Sequence, residues 1–425
     1  MLLIFRFAVE VEAETLGGTR TSSHALLFIF ITMLIDNIGL GIVIPVTPKL
    51  IQSLIGGTLG DAAPYGGWLF DAYCVMQFLF APLMGNLSDR FGRRPVLILA
   101  LLALGIDYLI SGLAPTIGWL FVGRFLSGAA GGSYSTANAY VADITPPDKR
   151  AANFGLIGAA FGVGFIVGPI IGGYFGQFGP RVPFLISAGL AFANALYGFF
   201  VLKESLARED RRPFDVARAN PAGALAALSR FPMLVTLFGV FVLIQFAHDT
   251  NPAVWTYYTM LKFNWTLLEV SYSLVAVGVL SILVSAVLTR YVVAWIGEAG
   301  AVYLGLIVGG IGFAGIGFAT EGWMIYAWMP LFMFFALPGP ALSAIASQHV
   351  GPDEQGELQG AFASLQSLTS LAAIPTMSYL FAWFTGPAAP VYFPGAPFLA
   401  AGFILFAAAA AFARARPAPA LNPAE

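Results

Sequence analysis

Gly85-Asn-Leu-Ser-Asp89-Arg90-Phe-Gly92-Arg93-Arg94-Pro95 is a short, charged stretch set between two long apolar runs, near residues 66–86 and 95–113. A helix needs about 20 apolar residues to cross bilayer hydrocarbon, and each run meets that length. The loop therefore reads as a turn at a membrane surface. Working outward, further runs lie near 25–48, 118–140, 152–175 and 183–202, then near 232–258, 267–289, 300–318, 323–346, 358–383 and 392–412. These are continuous apolar runs, whereas strands of a membrane barrel alternate. Between the two sets lies the longest hydrophilic connection, residues 203–230, with ten charged residues. The reading is an all-α membrane protein with twelve transmembrane helices in two six-helix pseudo-repeats. It is organised as an N-terminal tail (1–23), a first half (24–202), a central loop (203–230), a second half (231–413) and a C-terminal tail (414–425).

Composition agrees. The chain is 58% hydrophobic and 10% charged, against about 25% charged for an ordinary soluble domain. Charge also gives orientation. With both termini in the cytoplasm, Lys49, Arg181 and Lys262 lie outside and Arg124 lies within a span. The other sixteen of the 20 Lys and Arg are then cytoplasmic, a strong positive-inside bias that requires an even number of spans. The run Met1–Val9 is short and holds Arg6, and Glu10, Glu12 and Glu14 stand where a cleavage site of small residues would lie. The start therefore reads as a cytoplasmic tail rather than a signal peptide.

Several function classes fall away. A net charge of −2 gives no basic field for nucleic acid. Cys74 is the one cysteine, so no intrachain disulfide or cysteine-based metal site exists, and His24, His248 and His349 are scattered. Lys49, Lys149, Lys203 and Lys262 are never preceded by glycine, so no G-K-[ST] phosphate cradle is present. No cofactor and no enzymatic constellation are expected. Energy must come from a gradient.

Ionisable groups inside spans are functional candidates, because burial disfavours their charged forms. Asp36 sits mid-helix beside Asn37, Asp71 lies in the second span and Asp107 in the third, and His248 and Asp249 are adjacent in the seventh, before Asn251-Pro252. These five are the candidate proton-coupling residues. Asp36 and the His248/Asp249 pair are expected to face one another across the cavity between the halves, with only one of the adjacent pair turned inward, since neighbours on a helix point about 100° apart. Asn37, Gln77, Arg124, Tyr134, Asn138, Gln245 and Trp255 are the candidate cavity residues. Trp255, Tyr257 and Tyr258 suit either stacking on a flat substrate or an interfacial belt.

The opening stretch resembles the loop signature G-x-L-x-D-R-x-G-R-R-P of the major facilitator superfamily. Gly158-Ala-Ala-Phe-Gly162-Val-Gly164-Phe-Ile-Val-Gly168-Pro169-Ile-Ile-Gly172-Gly173 is similar to the motif of its antiporters. Asp36-Asn-Ile-Gly39-Leu-Gly41-Ile-Val-Ile-Pro45-Val-Thr-Pro48, Asp107-Tyr108, Ala142-Asp143-Ile-Thr and Gln355-Gly356-Glu-Leu358-Gln359-Gly360 narrow the resemblance to the tetracycline/proton antiporters. It covers about residues 25–413. The chain departs from the enterobacterial members at Gly309 and Ser281, where they carry an aspartate and a histidine, and its second-half loop keeps only Arg290 and Gly297-Glu298.

The resemblance implies a monomeric, multi-pass, bacterial-type inner-membrane protein that binds a small molecule and protons in a lipid bilayer. It implies efflux of a small amphipathic drug-like compound by proton antiport. The alternatives are a proton symporter or facilitator for a nutrient such as a sugar, and more remotely a membrane enzyme or receptor. Gly85, Asp89, Arg90, Gly92, Arg93, Arg94, Asp143 and Arg150 are expected to form a cytoplasmic latch that holds the halves in one state and breaks in the other. Gly158, Gly162, Gly168, Pro169, Gly172 and Gly173 are expected to pack helices.

Overall fold

The computed structural model describes residues 20–130, 133–145, 150–212, 234–350 and 355–414. Most of both tails and of the central loop, together with Gly131, Gly132 and Lys149, lie outside the described residues, as do the side chains of Tyr134 and Arg150.

The first half is built from α1 (Arg20–Val43), α2 (Thr47–Ile55), α3 (Leu59–Phe91), α4 (Arg93–Leu113), α5 (Ile117–Ala129), α6 (Ser133–Ile144), α7 (Arg150–Gly176) and α8 (Val182–Val201). The second half holds α9 (Val235–His248), α10 (Thr250–Phe263), α11 (Leu267–Ile282), α12 (Thr289–Phe318), α13 (Gly322–Phe332), α14 (Pro338–Ser347), α15 (Gln355–Thr385) and α16 (Ala396–Arg414). Pairing α1 with α2, α5 with α6, α9 with α10 and α13 with α14 gives twelve crossings, the piece of α12 before Gly297, where its backbone leaves helical geometry, continuing α11.

Nine helices among the described residues are long and apolar enough to cross a membrane. The others fall short for local reasons. Span four is interrupted after Ala129, span seven breaks at Asp249, and α15 is thinned by Ser364, Ser367, Thr369 and Ser370. The break at Asp249 follows from Pro252 three residues on, in the first turn of α10, where a missing backbone N–H is tolerated. Span eight carries a π-helical turn over Leu283–Leu288.

Helix α7 shows how its glycines are used. On one face Gly164, Gly168 and Gly172 admit α1: a Cβ at Gly164 would lie 2.6 Å from the Cβ of Asn37, and one at Gly172 would overlap the Ile42 carbonyl. The neighbouring face meets the second half, where a Cβ at Gly173 would lie 2.8 Å from the Leu267 carbonyl. Small residues let membrane helices approach closely enough for dispersion to hold them. Gly172→Val is expected to destabilise by about 1–3 kcal/mol through overpacking, read as a lower unfolding midpoint in detergent. Gly158→Val, with nothing within 4 Å of its Cβ position, should leave that midpoint unchanged.

The two seams between the halves close at one end only. On the α3–α15 seam, a Cβ at Gly60 would lie 3.4 Å from the Cβ of Thr385, and one at Gly67 would lie 3.4 Å from the Cβ of Ser378. A Cβ at Gly66 would overlap the Tyr257 hydroxyl. Farther along, Gly85 and Gly360 have nothing within 4 Å. The α7–α11 seam repeats the gradient. Gly173 and Gly176 are tight against Leu267, Gly162 is 3.5 Å from Ile282, and Gly155 and Gly158 are open.

Candidate functional site

Asp107 and Asp249 are the buried charged residues among the described ones. They anchor two polar clusters between the closed and open ends of the bundle.

The first cluster belongs to the first half. Asp107 on α4, fully buried, is ion-paired with Arg124 on α5. Ser111 donates to it at 3.4 Å, and Ser127 adds a hydrogen bond. Gly123 makes room, because a Cβ there would overlap the carboxylate. An arginine inside a membrane span is costly unless paired or hydrated. Here it is paired, and it keeps 20% of its side chain exposed. Asp36 on α1 lies near enough to act electrostatically on the hydroxyls of Tyr73 and Tyr108. Gln77 donates to the Tyr73 hydroxyl at 3.2 Å. Asn138 on α6 is half-buried.

The second cluster straddles the seam. Asp249 sits at the break between α9 and α10 and is 3% exposed. It accepts from Gln245 Nε2 at 2.8 Å and from the Ser370 hydroxyl of α15 at 2.6 Å, and it lies 3.0 Å from His248 Nδ1. Facing it from α3, Cys74 lies in the fields of both Asp249 and Asp71. One buried oxygen of Asp71 has no hydrogen-bond partner. Tyr73 and Cys74, adjacent on α3, thus touch one cluster each.

Asp36 acts on the first cluster and Asp249 anchors the second. Two expectations need correction. Asn37 turns away from the cavity, with its Cβ against Gly164 and its amide donating to the Met33 carbonyl at 2.6 Å. Trp255 is 2% exposed inside the second half, tilted against Phe332 and edge-on to Phe398, with its indole N–H donating to Ser273 at 3.0 Å. Packing against aromatic neighbours explains Trp255, and neither a substrate face nor an interfacial belt does. Tyr258 follows it, donating to the Ile316 carbonyl at 2.6 Å. Gln245 is likewise buried and committed to Asp249.

In this conformation the charged loop is bonded within the first half and the segment that follows it. Gly92, with φ +106°, turns the chain between α3 and α4. Arg93 binds Asp89 at 2.6 Å, Asp143 at 3.1 Å and Ser88 at 2.9 Å, and its backbone N–H donates to Glu204 at 2.8 Å. Ser205 donates to Asp143 at 2.9 Å, and Arg94 reaches the Phe199 carbonyl. Arg90 lies over the Phe91 ring. These contacts stay within the first half and the segment just after it, because the seams are open at this end. Gly85 here makes no close helix approach.

Sequence reasoning missed Ser370, Tyr73, Tyr108 and Glu204. The signal for Ser370 was a hydroxyl at one-turn spacing from Ser367 in a span otherwise able to be apolar. Gly309 leaves no room for a longer side chain: its Cβ would lie 2.9 Å from the Phe335 backbone nitrogen.

A family model described as Major Facilitator Superfamily matches residues 26–374. The chain is 36% identical to the class C tetracycline resistance protein of Escherichia coli over 350 residues, covering 82% of this chain and 88% of that one. It is 29% identical to multidrug resistance protein 2 of Bacillus subtilis (strain 168), covering 79% and 83%. Among solved structures it superposes on the nucleoside transporter NupG with a TM-score of 0.76 at 12% identity, covering 92% and 98%.

Proposed function

The chain belongs to the Major Facilitator Superfamily, and on that footing we propose that it is a proton-coupled efflux antiporter for a small amphipathic compound. It is a transporter and not an enzyme. Relatives named for tetracycline and multidrug resistance support the direction of transport.

The observation that carries the reading is the pairing of two buried charge clusters with seams shut at one end only. A rocking transporter needs a central site reachable from one side at a time, and a proton-driven one needs carboxylates there whose charge can change. The positive-inside bias sets the open end, where Arg90, Arg93 and Arg94 gather, in the cytoplasm. This conformation would then take substrate from inside the cell. Asp36, Tyr73, Gln77 and Arg124 supply polar recognition, and Asp36 with Asp107 offers proton sites in the first half.

The test is expression in a drug-sensitive host stripped of its own pumps, scored on a panel that includes tetracyclines and lipophilic cations. Raised resistance to at least one amphipathic compound is expected, lost in Asp36→Asn. Resistance unchanged across the panel would refute export of such compounds.

A further inference from the structure

We propose that His248 and Asp249 hold one shared proton, loaded through His248, and that Ser370 conveys that load to the seam between the halves. The inference rests on the proton-coupled reading above and locates its second-half site.

Asp107 has an arginine for its charge, whereas Asp249 has no lysine or arginine within ion-pair distance among the described residues. A carboxylate 3% exposed is costly to ionise without a cation. His248 is the group able to supply one, at 3.0 Å, and only when protonated. The pair therefore avoids an uncompensated charge by keeping one proton between them.

The geometry provides an entry. The His248 side chain is 44% exposed and that of Asp249 4%. Protons thus arrive at the imidazole and reach the carboxylate through a contact already made. Phe335 packs at a tilt against the imidazole, with centroids 5.5 Å apart.

The geometry also provides an output. Ser370 is on α15, 121 residues away in sequence, and binds the second carboxylate oxygen. Helix α15 packs along α3 on the seam that must open and close. From α3, Cys74 faces the pair, and Asp71 lies one helical turn before it. Helix α14 carries no charged residue, and the one on α16, Arg414, lies at its far end. Loss of the proton leaves an uncompensated carboxylate, held by Ser370 of α15 and facing Cys74 of α3, and admitting water to that charge favours parting of α3 from α15. Proton loading removes that cost and favours the α3–α15 contact seen here.

The test uses the full chain in two assays. Infrared difference spectra between mildly acidic and mildly alkaline buffer should show a buried carboxyl band that is lost in Asp249→Asn. The band should titrate at a different pH in His248→Gln and in Ser370→Ala, and regain its position in Ser370→Thr. In proteoliposomes with ethidium and tetracycline as probes, Asp249→Asn should lose pH-gradient-driven accumulation while keeping gradient-independent exchange. A band that survives Asp249→Asn, or full proton-driven accumulation by that variant, overturns the site and leaves the efflux reading intact. A wild-type chain that shows the band but moves neither probe on a pH gradient overturns the efflux reading and leaves the site standing.

Discussion

In a chain with Cys74→Ser, the pair Gly60→Cys and Thr385→Cys is expected to form a disulfide on mild oxidation and to stop transport until reductant is added. The Cβ positions are 3.4 Å apart, close to the roughly 3.5–4.5 Å that disulfides span. The bond would tie the start of α3 to the end of α15, the tight end of one seam. A rocking mechanism has to separate those ends once per cycle, and a covalent bond of about 2 Å cannot stretch to allow it. Gly85→Cys with Gly360→Cys serves as the comparison, since neither glycine has a neighbour within 4 Å, and it should cross-link poorly in this conformation. Transport that continues through a fully formed Gly60–Thr385 cross-link would contradict the opening of that seam.

The second large effect is expected at Asp107 and Arg124. Removing one member of a buried ion pair leaves the other charge uncompensated, a loss of about 3–5 kcal/mol. That is a large part of the roughly 5–15 kcal/mol by which domains are stable. Arg124→Ala should be the more severe change, because it strands a carboxylate with no exposure at all. Asp107→Asn leaves a guanidinium that still reaches the crevice. Asp107→Asn combined with Arg124→Gln restores a neutral pair and should recover much of the loss. The unfolding midpoint of the detergent-solubilised protein, followed by tryptophan fluorescence, measures all three. Equal midpoints for Arg124→Ala and the parent chain would show that the pair does not hold α4 to α5.

The helical crossings were legible because a bilayer makes length and apolarity almost sufficient evidence. Asp107 and Asp249 were legible for the same reason, since a carboxylate in an apolar run has to be explained. Face and partner were harder to read. Asp36 and Asn37 are neighbours, and only the close approach of Gly164 decides that the asparagine turns toward α7. Trp255 fits an apolar helix equally well in a cavity, at an interface or in a core, and its aromatic neighbours come from α13 and α16. Ser370 reaches Asp249 across 121 residues, so its hydroxyl stands out in the span while its partner does not. For the charged loop, the motif gives the charges without the conformation. Arg93 and its partners bond inside the first half while the seams at that end are open.

The most direct measurement is accumulation of ethidium and tetracycline by inside-out membrane vesicles whose interior is made acidic. Proton-driven export predicts that the wild-type chain concentrates at least one of them inside, and that a protonophore releases it. Accumulation that ignores the pH gradient, or that occurs only in right-side-out vesicles, would contradict it.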